Sequence, residues 1–338
     1  MATYILAGDI GGTKTNLALY QAAQGRDESL VLVREGSFPS ARYPGLEEIL
    51  DAFLDRQESV GQESIQAAAF GIAGPVLDGR VTATNLAWQV EATRLSSHLG
   101  GAQVRLMNDL EATAYGVLGL GPEEFQSLNP GRERRGHRAI IAAGTGLGQA
   151  FLFWDGRQYR AAATEGGHVD FAPRTALEDR LLGYLRRRYT HVSYERLVSG
   201  PGLVQIWRFL VEAEGRELTA GLEERMRTED PAAVIGQAGV NAECPTCEAA
   251  VDLLLGIYGA QAGNLALTVM SLGGVYVAGG MIPKLLPRVG HGAFMRAFVD
   301  KGRFAGLMAD IPVRIVLNPK AAQVGAAQAA LRRLNGAA

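Results

Sequence analysis

The chain has little cysteine, no surplus of charge of either sign and no long apolar run. Its two cysteines, Cys244 and Cys247, stand together in E-C-P-T-C-E. A single C-x-x-C can be a redox pair or half of a zinc site. There is no second cysteine pair, and no histidine between His191 and His291, so a four-ligand zinc site lacks donors. The expectation is two reduced thiols that hold no zinc and tolerate serine in their place. Lys and Arg number 33 against 35 Asp and Glu, a net charge of −2. That is not the basic excess of a nucleic-acid surface. The basic clusters Arg132/Arg134/Arg135/Arg138 and Arg186-Arg187-Arg188 read as solvated loop and helix faces. No apolar run reaches the ~18 residues that a spanning helix needs. The nearest, Leu253 to Val277, is interrupted by Tyr258, Gln261, Asn264, Thr268 and Ser271, and reads as a buried helix. The first strand opens at Tyr4, which leaves no stretch for a leader. A cytoplasmic chain with no membrane partner is expected, and 338 residues predict about two domains.

Glycine is abundant, 43 residues against a usual share of about 7%. Its placement is informative. Tyr4 to Tyr20 reads Y-I-L-A-G-D-I-G-G-T-K-T-N-L-A-L-Y, a strand, a turn and a strand. Gly11-Gly12 suits a turn that needs positive φ. Without Cβ atoms, its backbone N–H groups can approach a polyphosphate and form an anion-binding nest. Thr13 adds a hydroxyl, and Asp9 adds a carboxylate that a magnesium ion could use. The same residues would also serve an ordinary hairpin. Residues 139–154 repeat the device around Gly144-Thr145-Gly146, and a third pair, Gly279-Gly280, follows the apolar stretch 274–278. Such self-similarity points to an internal duplication.

Two phosphate loops and a third glycine pair resemble the actin/hexokinase-type ATPase superfamily. The resemblance implies an α/β, two-domain, ribonuclease-H-like fold with a duplicated mixed sheet and a cleft between domains. The expected domains are 1–118 with about 320–338, and 119–319. Periodicity alone predicts an amphipathic helix over 44–59, a buried strand over 65–72 and a hairpin turn at Asp78-Gly79 before an extended piece, 81–88. A strand over 104–107 runs into a helix over 110–118. Further helices are expected near 176–189, 202–214, 219–228, 246–272 and 320–334, and a last strand over 312–317.

Asp109 stands where a parallel strand ends and a helix begins, the place where open α/β sheets bind ligands. Its carboxylate could take a proton from a substrate hydroxyl, or it could simply cap the helix. In Glu165-Gly166-Gly167-His168 two glycines let the backbone approach a small ligand and leave a carboxylate and an imidazole to point at it. A ring of sugar hydroxyls suits such a set, although a loop with a satisfied histidine has the same sequence.

Together these motifs resemble the bacterial glucokinases of the non-ROK type, essentially end to end. The resemblance is carried by G-D-I-G-G-T (8–13), G-I-A-G-P-V (71–76), T-N-L-A-W (84–88), N-D-L-E-A-T-A (108–114) and G-T-G-L-G (144–148). E-G-G-H-V-D-F-A-P (165–173), S-Y-E-R-L-V-S-G-P-G-L (193–203), G-N-L-A-L (263–267), V-A-G-G (277–280) and D-K-G-R-F (300–304) complete it. It implies ATP-dependent phosphorylation of glucose to glucose 6-phosphate, with Asp109 as general base. Asn85, Asn108, Glu165, His168 and Glu195 correspond to sugar-binding residues. Gly8, Asp9, Ile10, Gly11, Gly12 and Thr13 would bind ATP with Gly144, Thr145, Gly146, Gly279 and Gly280. Asp9 would reach Mg²⁺ through water. The ROK branch carries a cysteine-rich zinc motif after its E-x-G-H, whereas this chain has H-V-D-F-A-P. The family is usually a cytosolic homodimer. Phosphorylation of another hexose, or of several, is the competing expectation. A sugar-sensing regulator or an actin-like filament is less consistent: three residues before Tyr4 leave no room for a DNA-binding module, and a filament does not explain Glu165, His168 or Glu195.

Overall fold

The computed structural model describes residues 3–22, 30–55, 65–83, 86–217 and 219–335. The chain divides into unit 1, Met1–Pro122 with Asn318–Ala338, and unit 2, Glu123–Leu317.

In unit 1, β1 (Thr3–Ile10) and β2 (Lys14–Ala22) form the expected antiparallel hairpin. β3 (Leu30–Pro39) continues it on one side. On the other side β4 (Ile65–Ile72) and β7 (Gln103–Asn108) run parallel to β1, giving the order β3-β2-β1-β4-β7. The expected turn at Asp78-Gly79 is present: both residues have positive φ, and Leu77 and Arg80 exchange two backbone hydrogen bonds of 2.9 Å. Beside it lie β5 (Arg80–Thr82) and β6 (Gln89–Glu91). One core packs α1 (Leu46–Leu54) on the sheet through Leu46, Ile49, Leu50 and Phe53, each fully buried; burial of one such side chain stabilises by roughly 1.5–3 kcal/mol. α1 stops at Leu54, and 56–59 of the expected helix lie outside the described residues. α2 (Ala92–His98) precedes β7, and α3 (Asp109–Gly119) follows it directly. The terminal helix α12 (Ala321–Leu334) lies on α3, with glycines at the crossing. A Cβ on Gly116 would overlap the Ala321 carbonyl, and one on Gly325 the Ala112 carbonyl.

Unit 2 repeats the plan. β9 (Arg138–Ala143), β10 (Leu147–Trp154) and β11 (Tyr159–Thr164) form an antiparallel meander. β12 (Val275–Ala278) and β13 (Val313–Val316) add in parallel, and β8 (Phe125–Asn129) closes the edge, in the order β11-β10-β9-β12-β13-β8. The first five strands therefore repeat the order of unit 1. Duplication is visible in topology as well as in the glycine turns.

Helices α4 (Ala176–Leu185), α5 (Gly200–Glu212), α6 (Leu222–Thr228), α7 (Pro231–Val240), α8 (Pro245–Val269), α9 (Leu286–Val289), α10 (Ala293–Val299) and α11 (Ala305–Ala309) belong to this unit. The 25-residue α8 is long and apolar enough to cross a membrane, but most of it is buried against its neighbours. One sequence expectation needs correction. Cys244 and Cys247 are buried in the core, so serine at both places would bury new hydroxyls at a cost. Cys244 is moreover the cap of α8, its Sγ accepting the Cys247 N–H at 3.2 Å. The basic clusters face solvent as expected, with Arg132, Arg134, Arg135, Arg186, Arg187 and Arg188 exposed and Arg138 half-buried. Arg132 and Arg134 pair with Asp310, Arg188 pairs with Glu212, and Arg138 stacks on Tyr159 and Tyr276.

Candidate active site

The candidate site residues of unit 1 that the structure describes gather at the carboxyl ends of β1 and β7, beside that of β4. The turn after β1 closes with Gly11 N–H on the Lys14 carbonyl at 2.9 Å. Neither Gly11 nor Gly12 has positive φ, contrary to expectation. The turn is held instead by Ser40, which is buried. Ser40 Oγ donates to the Gly11 carbonyl at 2.7 Å and lies 3.0 Å from Thr15 Oγ1; Ser40 N–H donates to the Thr13 carbonyl at 3.1 Å. Thr13 and Lys14 are exposed. Gly8 faces the core, where a Cβ would meet Phe70 at 2.5 Å, and the Ile10 side chain is buried there too. Any contact of these two with a ligand would have to come from backbone.

Asn108 and Asp109 divide the work of the β7–α3 junction. Asn108 is the helix cap: its Oδ1 accepts the Leu110 N–H at 2.9 Å, and its Nδ2 donates to the Gly74 carbonyl at 3.3 Å. Asp109 is the first helical residue, and its Oδ1 accepts the same N–H at 2.9 Å. Gly71 lets the helix start this close to β4, since a Cβ there would stand 2.9 Å from Ala112 Cβ. Burial, then the charge of Asp109, push the Asp9 carboxyl up to about 6, against an opposing hydrogen bond with Asn16. Two carboxylates thus share one electrostatic environment, which a cation would relieve. Asn85 lies outside the described residues.

In unit 2 the turn after β9 is Gly144-Thr145-Gly146, with Gly144 N–H on the Gly146 carbonyl at 2.9 Å. The first N–H of α5, from Gly200, donates to the Gly144 carbonyl at 2.8 Å. Gly144, Thr145 and Gly280 line a cavity of about 930 Å³ with Gly200, Met281 and Lys284. A Cβ on Gly144 or Gly280 would meet nothing within 4 Å, so both leave open space. Gly279 serves the backbone: its φ is 90° and a Cβ would overlap the Ala143 carbonyl. Gly146 turns toward a different partner, Glu195, whose Oε2 would stand 2.5 Å from a Cβ on it.

Glu195 Oε2 accepts the Leu147 N–H at 3.0 Å. Its other oxygen lies 3.9 Å from His168 Nδ1, and His168 Nε2 lies 3.9 Å from Glu165 Oε2. The three expected sugar-binding groups of this unit therefore form one cluster, with the imidazole between two carboxylates. The side chains of Glu165 and His168 are more than half exposed. Gly167 makes the loop possible, since a Cβ would overlap the Leu147 carbonyl.

The chain is similar along its whole length to known proteins. The Glucokinase family model matches residues 6–333. The chain belongs to the glucokinase family. The glucokinase of Synechocystis sp. is 42% identical over 97% of this chain and 98% of its own. Among solved structures, a glucokinase from an Antarctic psychrotroph superposes with a TM-score of 0.82 at 27% identity, covering 97% of this chain and 98% of that one. The Balamuthia mandrillaris glucokinase, solved in complex with glucose, superposes with a TM-score of 0.80 at 25% identity, covering 97% and 94%. The non-ROK resemblance read from the motifs agrees with this placement. Sequence reasoning on this glucokinase-family chain missed Ser40, the α5 N-terminus at Gly200 and Lys284. The α5 signal was present in S-G-P-G, where Ser199 accepts the Gly202 N–H at 3.1 Å as cap.

Proposed function

We propose that the chain transfers the γ-phosphoryl group of ATP to the 6-hydroxyl of glucose. The observation that carries this reading is Asp109 in a glucokinase-family chain. Its carboxylate stands at the end of a parallel strand, beside the cap residue Asn108, with which its Oδ1 shares the Leu110 N–H. In this reading Asp109 accepts the hydroxyl proton as that oxygen attacks phosphorus in line. Phosphoryl transfer asks the protein mainly for positioning and charge stabilisation. The N–H groups of the Gly11–Thr13 and Gly144–Thr145 turns supply donors to the phosphates. The cavity beside Gly144, Gly200 and Gly280 receives the nucleoside. Glu165, His168, Glu195, Asn108 and Asn85 exchange hydrogen bonds with the sugar hydroxyls.

Among the described residues, no cluster of three or more His, Cys, Asp or Glu could cage a metal. Asp9 nonetheless fits a magnesium ion, which usually takes one or two carboxylates and keeps several waters. Burial first, and then the charge of Asp109, raise the pKa of Asp9, and a cation there would offset both. When bound, the ion would neutralise charge on the phosphate oxygens. The assembly that accompanies this reading is a cytoplasmic homodimer, which light scattering on the purified chain tests.

The deciding experiment is a coupled ADP-release assay with ATP, Mg²⁺ and a panel of hexoses. Glucose should give the highest kcat/KM. A higher value for another hexose would reassign the substrate, and ADP release that ignores sugar would sink the kinase reading.

A further inference from the structure

The strings G-N-L-A-L and D-K-G-R-F, and the tyrosine that precedes Glu195, take no part in the reaction described above. Unit 2 joins them in one hydrogen-bonded chain that ends at the Glu165–His168–Glu195 cluster. Lys301 Nζ donates to Asn264 Oδ1 at 2.7 Å and to the Ala260 carbonyl at 3.0 Å. Asn264 Nδ2 then donates in two directions, to Tyr194 Oη at 3.1 Å and to Gln261 Oε1 at 3.1 Å. Gln261 Nε2 reaches the Gly166 carbonyl at 3.5 Å. Tyr194 begins the short turn that carries Glu195, and Gly166 lies between Glu165 and His168.

Donor and acceptor chemistry gives this chain one polarity. Lys301 can only donate, so Asn264 must present its oxygen to it and its nitrogen to Gln261 and Tyr194. Gln261 must then turn its oxygen to Asn264, which leaves its nitrogen for a carbonyl that can only accept. The side-chain amides are thereby oriented from one cation. The sequence also makes room for that cation, because a Cβ on Gly263 would stand 2.7 Å from Lys301 Cε. Asp300, next in sequence, is engaged by Arg174 at 2.9 Å. Burial, and then the charge of Arg174, lower the pKa of Lys301. A partly buried cation costs free energy, and an apolar residue of like shape would serve pure packing at least as well.

We propose that Lys301 and Asn264 are positioning residues for glucose, holding the Glu165–His168 loop and the Glu195 turn in one mutual orientation. The inference rests on the glucose-phosphorylation reading.

The test is saturation kinetics for glucose and for ATP, with melting temperatures, on the full chain carrying Lys301→Met or Asn264→Asp. Lys301→Met keeps the stem and removes the donor. Asn264→Asp keeps the acceptor for Lys301 and removes both donors toward the sugar cluster. Each should raise the glucose KM about tenfold, as expected when a binding group is misplaced by a fraction of an ångström. The ATP KM and the melting temperature should stay close to wild type. The double variant should bind glucose no worse than the poorer single variant, because both residues act on one path. If Lys301→Met does not fold, Asn264→Asp and Tyr194→Phe carry the test, the latter with about a threefold rise in glucose KM for the loss of one branch. A glucose KM within twofold of wild type in these variants would overturn the proposal. So would glucose and ATP KM values that rise together with a lowered melting temperature, the mark of a structural role. A wild-type chain that turns over no glucose would overturn the functional reading instead.

Discussion

The turn after β1 and the turn after β9 occupy the same place in two sheets of the same strand order, but each is held and used differently. The first is stapled from the side by Ser40, a buried hydroxyl reaching in from the segment after β3. It stands beside two interacting carboxylates, Asp9 and Asp109. The second is held by the backbone N–H of Gly200 at the start of α5, and it opens onto a large cavity. Its own glycines divide: Gly144 leaves space, while Gly146 makes way for Glu195. The difference shows how a duplicated hairpin becomes asymmetric. The unit with acidic neighbours suits proton transfer and cation binding, and the unit with a cavity suits a bulky ligand.

The sharpest break in the comparison is Asp109→Asn, which keeps size and removes the proton acceptor. Its kcat should fall about 10²–10⁴-fold, the usual cost of losing a general base, with glucose KM changed only a few-fold in steady-state kinetics. Turnover near wild type would leave Asp109 with no chemical role. Next, Gly144→Val should raise the ATP KM by about tenfold or more, about 1.4 kcal/mol of binding. Its melting temperature should hold, because the new Cβ meets nothing in the fold. Gly11→Val should instead lower stability, since its Cβ would stand 3.1 Å from the Lys14 carbonyl. Equal effects of the two substitutions on stability would erase the proposed distinction. Third, Ser40→Ala strips the first turn of its staple and should cost about 1–3 kcal/mol in denaturant unfolding. The smallest effect is a pH dependence from Asp9. Its folded pKa, about 6, lies above the ordinary 3.8. Between those values the folded state binds more protons than the unfolded one, so this group's contribution to stability falls as pH rises from about 4 to about 6. Asp9→Asn should flatten that decline in melting curves across the interval; an unchanged slope would assign it to other groups.

Much of this was legible in one dimension. The hairpin at Gly11, its repeat at Gly144, α1, α8, the strand into Asp109 and the Asp78-Gly79 turn all rest on local rules: apolar spacing, turn glycines, and Asn before a helix. Other elements were not legible. β3 carries Val31, Leu32 and Val33 exposed on a sheet edge, so it lacks the alternation of a half-buried strand. α7 contains Gly236 and Gly239, which read as helix breakers; yet Gly239 is needed because its Cβ would stand 2.7 Å from the Cys247 carbonyl of α8. Asp230-Pro231, a helix start, was the available signal.

By itself the sequence determined which residue types could do the chemistry, and where along the chain each strand delivers them. Those properties depend on neighbours a few positions away. Only the tertiary structure decided that Ser40 grips Gly11, 29 residues distant, that Glu195 meets Gly146 and His168, and that Asn264 meets Lys301, 37 residues away. Such contacts follow from how sheets and helices stack, and hydrogen bonds between residues far apart in the chain leave no periodic trace in it.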